Sequence, residues 1–292
     1  MRAAPGDRSR AVADRAEVAQ IELAPSLTVE LMRTWYQRQA FPRHTHEYFT
    51  IALGLRGAGV VWFRGADRVR RLGELVMLPP GEVHTGAPAP GSAVLSYLAL
   101  HVPPSVLTLC AQTHGLPGDS PSSLAAAIFR DPDIGRELRR LDAAMNTTLD
   151  SGAAAESVIS ALDRLVSRYA GPGRSRERTS DEPRLVRIVR QIIDDCYADS
   201  ARTSLATLSA SCGVTPFHIV RLFTRSVGIS PHRYLVQVRV RHARELLARG
   251  IPPSFVAATT GFADQSHLTA QFKRLVGTTP GSYQRCLCAG AR

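Results

Sequence analysis

The apolar positions change period along the chain. Between Leu27 and Val102 they come in short runs: Tyr48–Leu53, Val60–Phe63, Leu75–Leu78 and Ala93–Leu100. These runs are rich in β-branched and aromatic residues and are separated by turns such as Pro79-Pro80-Gly81. At a spacing of roughly ten residues they predict the strands of a sandwich or barrel. From Ser122 to Tyr169 the period becomes helical, with Ile134, Leu138, Leu141 and Met145 on one stripe and Val158, Leu162, Leu165 and Tyr169 on a second. Ser151-Gly152 is expected to break the two into an antiparallel pair. The stripes are narrow enough to cover the barrel or to join a second copy of the chain, and the dimer interface is favoured. Gly171 to Asp181 contains no aliphatic or aromatic side chain and reads as a linker.

Beyond the linker the pattern is helical throughout. Pro183 opens a helix with Leu185, Ile188, Val189, Ile192 and Cys196 on its apolar face. Ser204 is a good N-cap for a short helix, Leu205 to Cys212, that stops at Gly213. Thr215-Pro216 then places a cap before a proline at the first helical position, and Gly228 ends that helix. Pro231 to Arg249 reads as one amphipathic helix of 19 residues, about 28 Å long at 1.5 Å per residue. Ser254 is expected to cap Phe255 to Thr260, and Asp264 to cap a last long helix ending at Gly277.

This pattern is written twice. Adding 49 to His218, Phe223, Arg225, Val227, Gly228, Pro231 and Tyr234 reproduces His267, Phe272, Arg274, Val276, Gly277, Pro280 and Tyr283. Two copies are too few for a solenoid. Short helix, glycine turn and longer helix are the parts of a helix-turn-helix, whose second helix enters the major groove. Ile219, Leu222 and Phe223 set the inner face of the first long helix, and Leu268 and Phe272 that of the second. The opposite faces carry the candidate DNA contacts, Phe217, Val220 and Arg221 in one and Gln265, Ser266 and Thr269 in the other. Arginine pairs bidentately with guanine and glutamine with adenine, each worth about 1–3 kcal/mol of discrimination. Arg225, Lys273 and Arg274 lie a turn later and suit phosphate. The connecting helix can hold both readers about one DNA turn, ~34 Å, apart.

Charge supports this assignment. The chain of 292 residues carries a net +11, almost wholly as arginine. Between Glu182 and Arg292 there are 15 basic and 6 acidic residues, so the positive charge sits on the duplicated region, as a phosphate-facing surface requires. The five cysteines form no CxxC pair, which argues against a disulfide framework or zinc ribbon and fits a reducing cytoplasm. No apolar run approaches the ~20 residues of a membrane helix, and the polar, arginine-rich start reads as a tail rather than a secretory signal.

The β-rich half holds the candidate ligand chemistry. Gly73-x5-Pro79-x-Gly81-x2-His84 matches the second motif of the cupin barrels, and His44-Thr45-His46 resembles the opening of the first. The carboxylate that metal-binding cupins place four or five residues on is replaced by Thr50 and Ile51, and alternation turns Glu47 to the other face. Three imidazoles can hold zinc, but without the carboxylate no metal or other cofactor is expected. His44, His46, Thr50, Trp62 and His84, with His101 nearby, are expected to line a pocket for a small-molecule effector.

The segment from Leu185 to Tyr283 resembles the AraC family of bacterial transcription regulators. The resemblance is carried by the tandem pattern, above all Gly261-Phe262 through Phe272-Lys273-Arg274 to Gly277-Thr278-Thr279-Pro280-Gly281-Ser282-Tyr283. With the cupin-like front it covers nearly everything from His44 onward. It implies an α+β protein: an N-terminal cupin-like β-barrel with a helical pair, and a C-terminal all-α tandem helix-turn-helix domain. The expected division is a tail at 1–20, an effector domain at 21–170, a linker at 171–183 and a DNA-binding domain at 184–286. The implied function is a sequence-specific regulator of double-stranded DNA, often an activator touching RNA polymerase and often a homodimer. The alternative is a metal-dependent cupin enzyme with an appended nucleic-acid-binding domain, against which the missing carboxylate counts. Ala270 stands where Arg221 stands in the first copy, so the first copy is expected to carry more of the base specificity.

Overall fold

The computed structural model describes residues 14–117, 120–145, 151–170 and 182–289. Its N-terminal half is two facing sheets. Strands β1 (Arg15–Ala24), β2 (Leu27–Tyr36), β4 (Phe49–Arg56), β7 (Leu75–Leu78), β9 (Leu95–Val102) and β10 (Ala127–Phe129) form one, in the order β1-β2-β9-β4-β7-β10. Strands β3 (Phe41–His44), β5 (Gly59–Phe63), β6 (Ala66–Arg70) and β8 (His84–Pro88) form the other, in the order β3-β8-β5-β6. The described pairings are antiparallel, and β3 sets His44 directly opposite His84 on β8.

Period-2 alternation decides what each face of the large sheet meets. Phe49, Ile51 and Leu53 on β4, Leu75 and Met77 on β7, and Leu98 and Leu100 on β9 share one core with helices α1 (Pro104–Thr113), α2 (Pro132–Ala144) and α3 (Ser151–Tyr169). Their neighbours Ala52, Val76, Leu78 and Ala99 face the other way, into a second core. Ile134, Leu138, Leu141, Val158, Leu162 and Leu165 are all buried in the first core. The stripe residues therefore cover this chain's own barrel, which corrects their expected role as a dimer interface, while Ile159 on α3 stays exposed.

Other expectations shift as well. Arg15–Ala24, placed partly in a tail by the sequence, is strand β1. Ala16 and Val18 join the second core while Ile21 joins the first, so neither face shows a clean alternation. Helicity does not begin at Ser122: Ser120–Ser123 is a 3₁₀ turn, and β10 pairs with β7 before α2 starts. Ser151-Gly152 opens α3 rather than breaking the pair. Most of the linker, 171–181, lies outside the described residues.

The C-terminal half consists of α4 (Arg184–Cys196), α5 (Leu205–Cys212), α6 (Pro216–Val227), α7 (Pro231–Ala248), α8 (Pro253–Thr259), α9 (Gln265–Val276) and α10 (Pro280–Ala289). The caps act as their sequences require. Ser204 accepts from the Thr207 backbone N–H, Thr215 from His218 and Asp264 from His267, while Gly213, Gly228 and Gly277 close their helices in the left-handed region. Two details differ. The buried face of α4 is Val186, Val189, Ile193 and Cys196, with Ile188 exposed, because Ile188 stands at the rim of the helix's apolar arc, beside Asp195. Helix α8 begins at Pro253 after Pro252 with no side-chain cap, because proline pre-sets φ at a helix start; Ser254 falls inside it.

Candidate functional site

Phe223 and Tyr234 meet edge-on at 5.6 Å, and their equivalents Phe272 and Tyr283 meet edge-on at 5.4 Å. These pairs lock α6 onto α7 and α9 onto α10. The outward faces are then free: Phe217, Arg221, Arg225, Gln265, Ser266, Lys273 and Arg274 are exposed, and Val220 and Thr269 are half-buried. Phe217 is 88 % exposed at the start of α6, a position suited to an apolar contact with a thymine methyl. The Thr269 hydroxyl donates to the Gln265 carbonyl at 2.8 Å, which weakens it as a base reader. The outer face of α9 also shares a cleft with Asp14, Arg38, Gln39 and Ala40 of the barrel, among the residues lining it being Gln265, Ser266, Thr269, Ala270, Lys273 and Arg274.

The barrel cavity gathers His44, His46, Thr50, His84 and His101, as the sequence led us to expect, with Met32, Tyr48, Ala52, Arg70, Tyr97 and Ala99. Trp62 does not line it. Phe63 points inward into the second core, so alternation turns Trp62 outward, where the Arg43 guanidinium lies 4.1 Å over its ring. Nδ1 of His44, His46 and His84 bonds the backbone carbonyls of Pro42, Tyr48 and Glu82 at 2.8, 2.8 and 2.9 Å. Burial pushes the pKa of all four histidines down, most for His46 and His84; neighbouring imidazoles reinforce it at His44, His46 and His84, and the Arg244 charge at His101, where Glu30 opposes it. The imidazoles are therefore neutral at neutral pH. Their ligand atoms do not converge as a metal set; among the described residues, those that do belong to Cys110, His114 and Asp163, away from the cavity.

What sequence reasoning missed is that the DNA-binding half supplies part of the cavity wall. Arg244 on α7 and Leu275 and Val276 on α9 line it with the barrel residues. Arg244 is paired to Glu30 on β2 and donates to the Tyr48 hydroxyl at 2.7 Å. Tyr283 on α10 donates to the same Glu30, and His101 Nδ1 bonds it at 3.0 Å. Burial alone would raise the Glu30 pKa, but Arg244 and His101 outweigh it and hold the carboxyl well below its ordinary range. Arg241 pairs with Glu47, and Gln237 accepts from the Thr45 backbone N–H at 3.0 Å. Gly228 and Gly277, which end α6 and α9, both abut the barrel. A Cβ on Gly228 would come within 2.9 Å of Val83, and one on Gly277 within 2.0 Å of the Tyr36 hydroxyl. No single residue in this set announces itself: an arginine inside an arginine-rich helix looks like a solvated face.

A tandem helix-turn-helix domain with two open reading faces, joined to a barrel that encloses a small cavity, defines a DNA-binding transcription regulator with a ligand-binding domain. Comparison with known proteins agrees over both halves. The AraC-like ligand binding domain matches residues 27–165 and the helix-turn-helix domain residues 208–285. The chain is 28 % identical to the uncharacterized HTH-type transcriptional regulator YbfI of Bacillus subtilis over 86 % of this chain and 90 % of the relative. It is 26 % identical to the arabinose operon regulatory protein of Escherichia coli, over 81 % and 80 %. Among solved structures, fatty-acid-bound ToxT of Vibrio cholerae has the same fold, with a TM-score of 0.54 at 14 % identity over 96 % of this chain and 98 % of that one. The chain belongs to the AraC family of DNA-binding transcriptional regulators. No described helix is long and apolar enough to cross a membrane.

Proposed function

We propose that this regulator reads its operator chiefly through α6 and that a small molecule in the barrel cavity governs how α9 is held. The observation that carries this is the shared wall: Arg244, Leu275 and Val276 of the DNA-binding half close a cavity otherwise built from the barrel. A ligand there touches both halves, so its binding energy depends on how they are docked, which is what coupling two sites requires. Phe217, Val220, Arg221, Gln265, Ser266 and Thr269 are assigned to bases and Arg225, Lys273 and Arg274 to phosphate; His44, His46, Thr50 and His84 are assigned to the effector. The fatty acid bound to ToxT supports a ligand role for this fold. A second copy of the chain and RNA polymerase are the further partners that family membership suggests, with the cytoplasm as the compartment. A homodimer would use a surface other than the buried α2 and α3 stripes.

Footprinting across the genome supplies the operator, and fluorescence anisotropy at fixed salt then compares it with a scrambled duplex. The wild-type chain should prefer the operator by ~10³-fold or more. Arg221→Ala should lose ~10-fold or more on the operator and little on the scrambled duplex; equal losses on both would reduce Arg221 to a phosphate contact.

A further inference from the structure

Strand β6 ends in an arginine that the fold buries and leaves unpaired. Arg70 is 3 % exposed, and both its Nη1 and Nη2 are buried without a hydrogen-bond partner. It lines the barrel cavity, where its guanidinium stands 5.6 Å from the Tyr97 ring. Glu74, whose charge reaches Arg70, makes no hydrogen bond to its Nη1 or Nη2; its Oε2 accepts from the Arg71 backbone N–H at 2.6 Å. Burial lowers the Arg70 pKa, with Tyr97 and Glu74 opposing, yet a guanidinium stays protonated in proteins. A buried, unpaired charge is among the costliest arrangements a fold can hold, and the group that would relieve it is an anion.

The rest of the cavity limits that anion. Arg244, the other cation of the wall, is committed to Glu30 and Tyr48. The histidines are kept neutral, so they supply no second positive charge. Met32, Ala52, Val76, Leu78 and Ala99 offer an apolar bed. The cavity measures about 120 Å³, close to the ~150 Å³ that accepts a benzene ring, so a long acyl chain does not fit it as it stands.

Resting on the assignment of this cavity to an effector, we propose that the ligand is a small monocarboxylate with an apolar body about the size of benzoate. Its carboxylate pairs with the fork of Arg70, and its body lies on the apolar bed. Bidentate arginine–carboxylate pairing is the geometry an unpaired fork is built for.

The test uses the full chain, with benzoate and hexanoate as probes and benzamide as the neutral isostere, read by calorimetry and thermal unfolding. Benzoate should bind at least ~10-fold tighter than benzamide, the margin of a single charge-assisted pair. Arg70→Met should abolish that preference. It should also raise the melting temperature of the ligand-free chain, because an unpaired buried charge is removed; a merely structural arginine would lower it. Arg70→Lys, which keeps the charge but loses the fork, should retain part of the preference. The proposal is overturned if neither carboxylate binds, if benzoate and benzamide bind alike, or if Arg70→Met leaves the preference intact. Benzamide binding that Ala52→Leu blocks, with no preference for the carboxylate, would spare the effector cavity while removing its anionic ligand. Benzoate binding unaffected by Ala52→Leu in a folded chain would remove the cavity assignment itself.

Discussion

The two helix-turn-helix units share a sequence pattern and differ in what they rest on. In the first, Val186, Val189, Ile193, Leu208, Ile219 and Phe223 close a core with the start of α7, to which the barrel adds Val83 at the edge. In the second, Val256, Leu268, Phe272, Val276 and Tyr283 belong to the same core as Met32, Ala52, Val76 and Ala99 of the barrel. The equivalent tyrosines show the difference in one atom. The Tyr234 hydroxyl donates to Asp194 within its own domain at 3.0 Å, whereas the Tyr283 hydroxyl donates to Glu30 of the barrel. Duplication preserved the reader and changed its anchor. The first unit rests mainly on residues of its own domain, and the second is held by the barrel.

The largest effect should come from the anchor. Arg244→Ala leaves the Glu30 carboxylate buried without its main partner, and removing one member of a buried pair costs about 3–5 kcal/mol. Asp194→Ala, the corresponding cut in the first unit, removes a half-exposed acceptor and should cost about 1 kcal/mol. Urea denaturation measures both, and equal losses would break the contrast. A smaller effect is expected on DNA. Arg221→Ala should cost about 1–3 kcal/mol of operator affinity, and Gln265→Ala less, because α9 presents its outer face into a cleft with Arg38, Gln39 and Ala40 and carries Ala270 where α6 carries Arg221. A larger loss from Gln265→Ala, in the same anisotropy assay, would reverse the assignment of the two readers.

Acid should loosen the second unit before the first. His46 and His84 have folded-state pKa values well below the ordinary 6.5, so below that pH the unfolded or undocked chain binds protons that the folded chain does not. Stability is then full above about pH 6.5 and falls on acidification, by up to about 1.4 kcal/mol per pH unit per histidine. Glu30, held low, adds its own loss only below about pH 4.3, its ordinary value. Melting temperatures from pH 7.5 to 5.5 read the first window, and His84→Asn should flatten part of it. Smallest are the caps. Thr215→Ala and Asp264→Ala should each cost about 1 kcal/mol, and a much larger cost at either would mean that its side chain does more than cap.

Much of this was legible in the sequence because local chemistry decided it. Ser204, Thr215 and Asp264 cap the helices they precede, and the positions of α5, α6 and α9 are set by them. The spacing from Gly73 to His84 placed a histidine at the cavity. What was not legible is long-range. Glu30, Tyr36 and Val83 look like ordinary strand or turn residues until α6, α7, α9 and α10 are set against them. Arg70 sits in a polar run, Ala66-Asp67-Arg68-Val69-Arg70, that gives no sign that one arginine is buried. Trp62 was misplaced because a half-buried sheet has two faces, and composition alone does not say which one is lined by ligand. The α2 and α3 stripes pointed to a partner surface, and the partner proved to be the barrel of the same chain.

Hydrogen exchange on the full chain with and without the anchor tests the difference between the two units most directly. In Glu30→Gln the amides of α9 and α10 should lose protection while those of α4, α5 and α6 keep theirs. Equal deprotection of both units, or none in either, would contradict a second unit held by the barrel beside a first that stands on its own core.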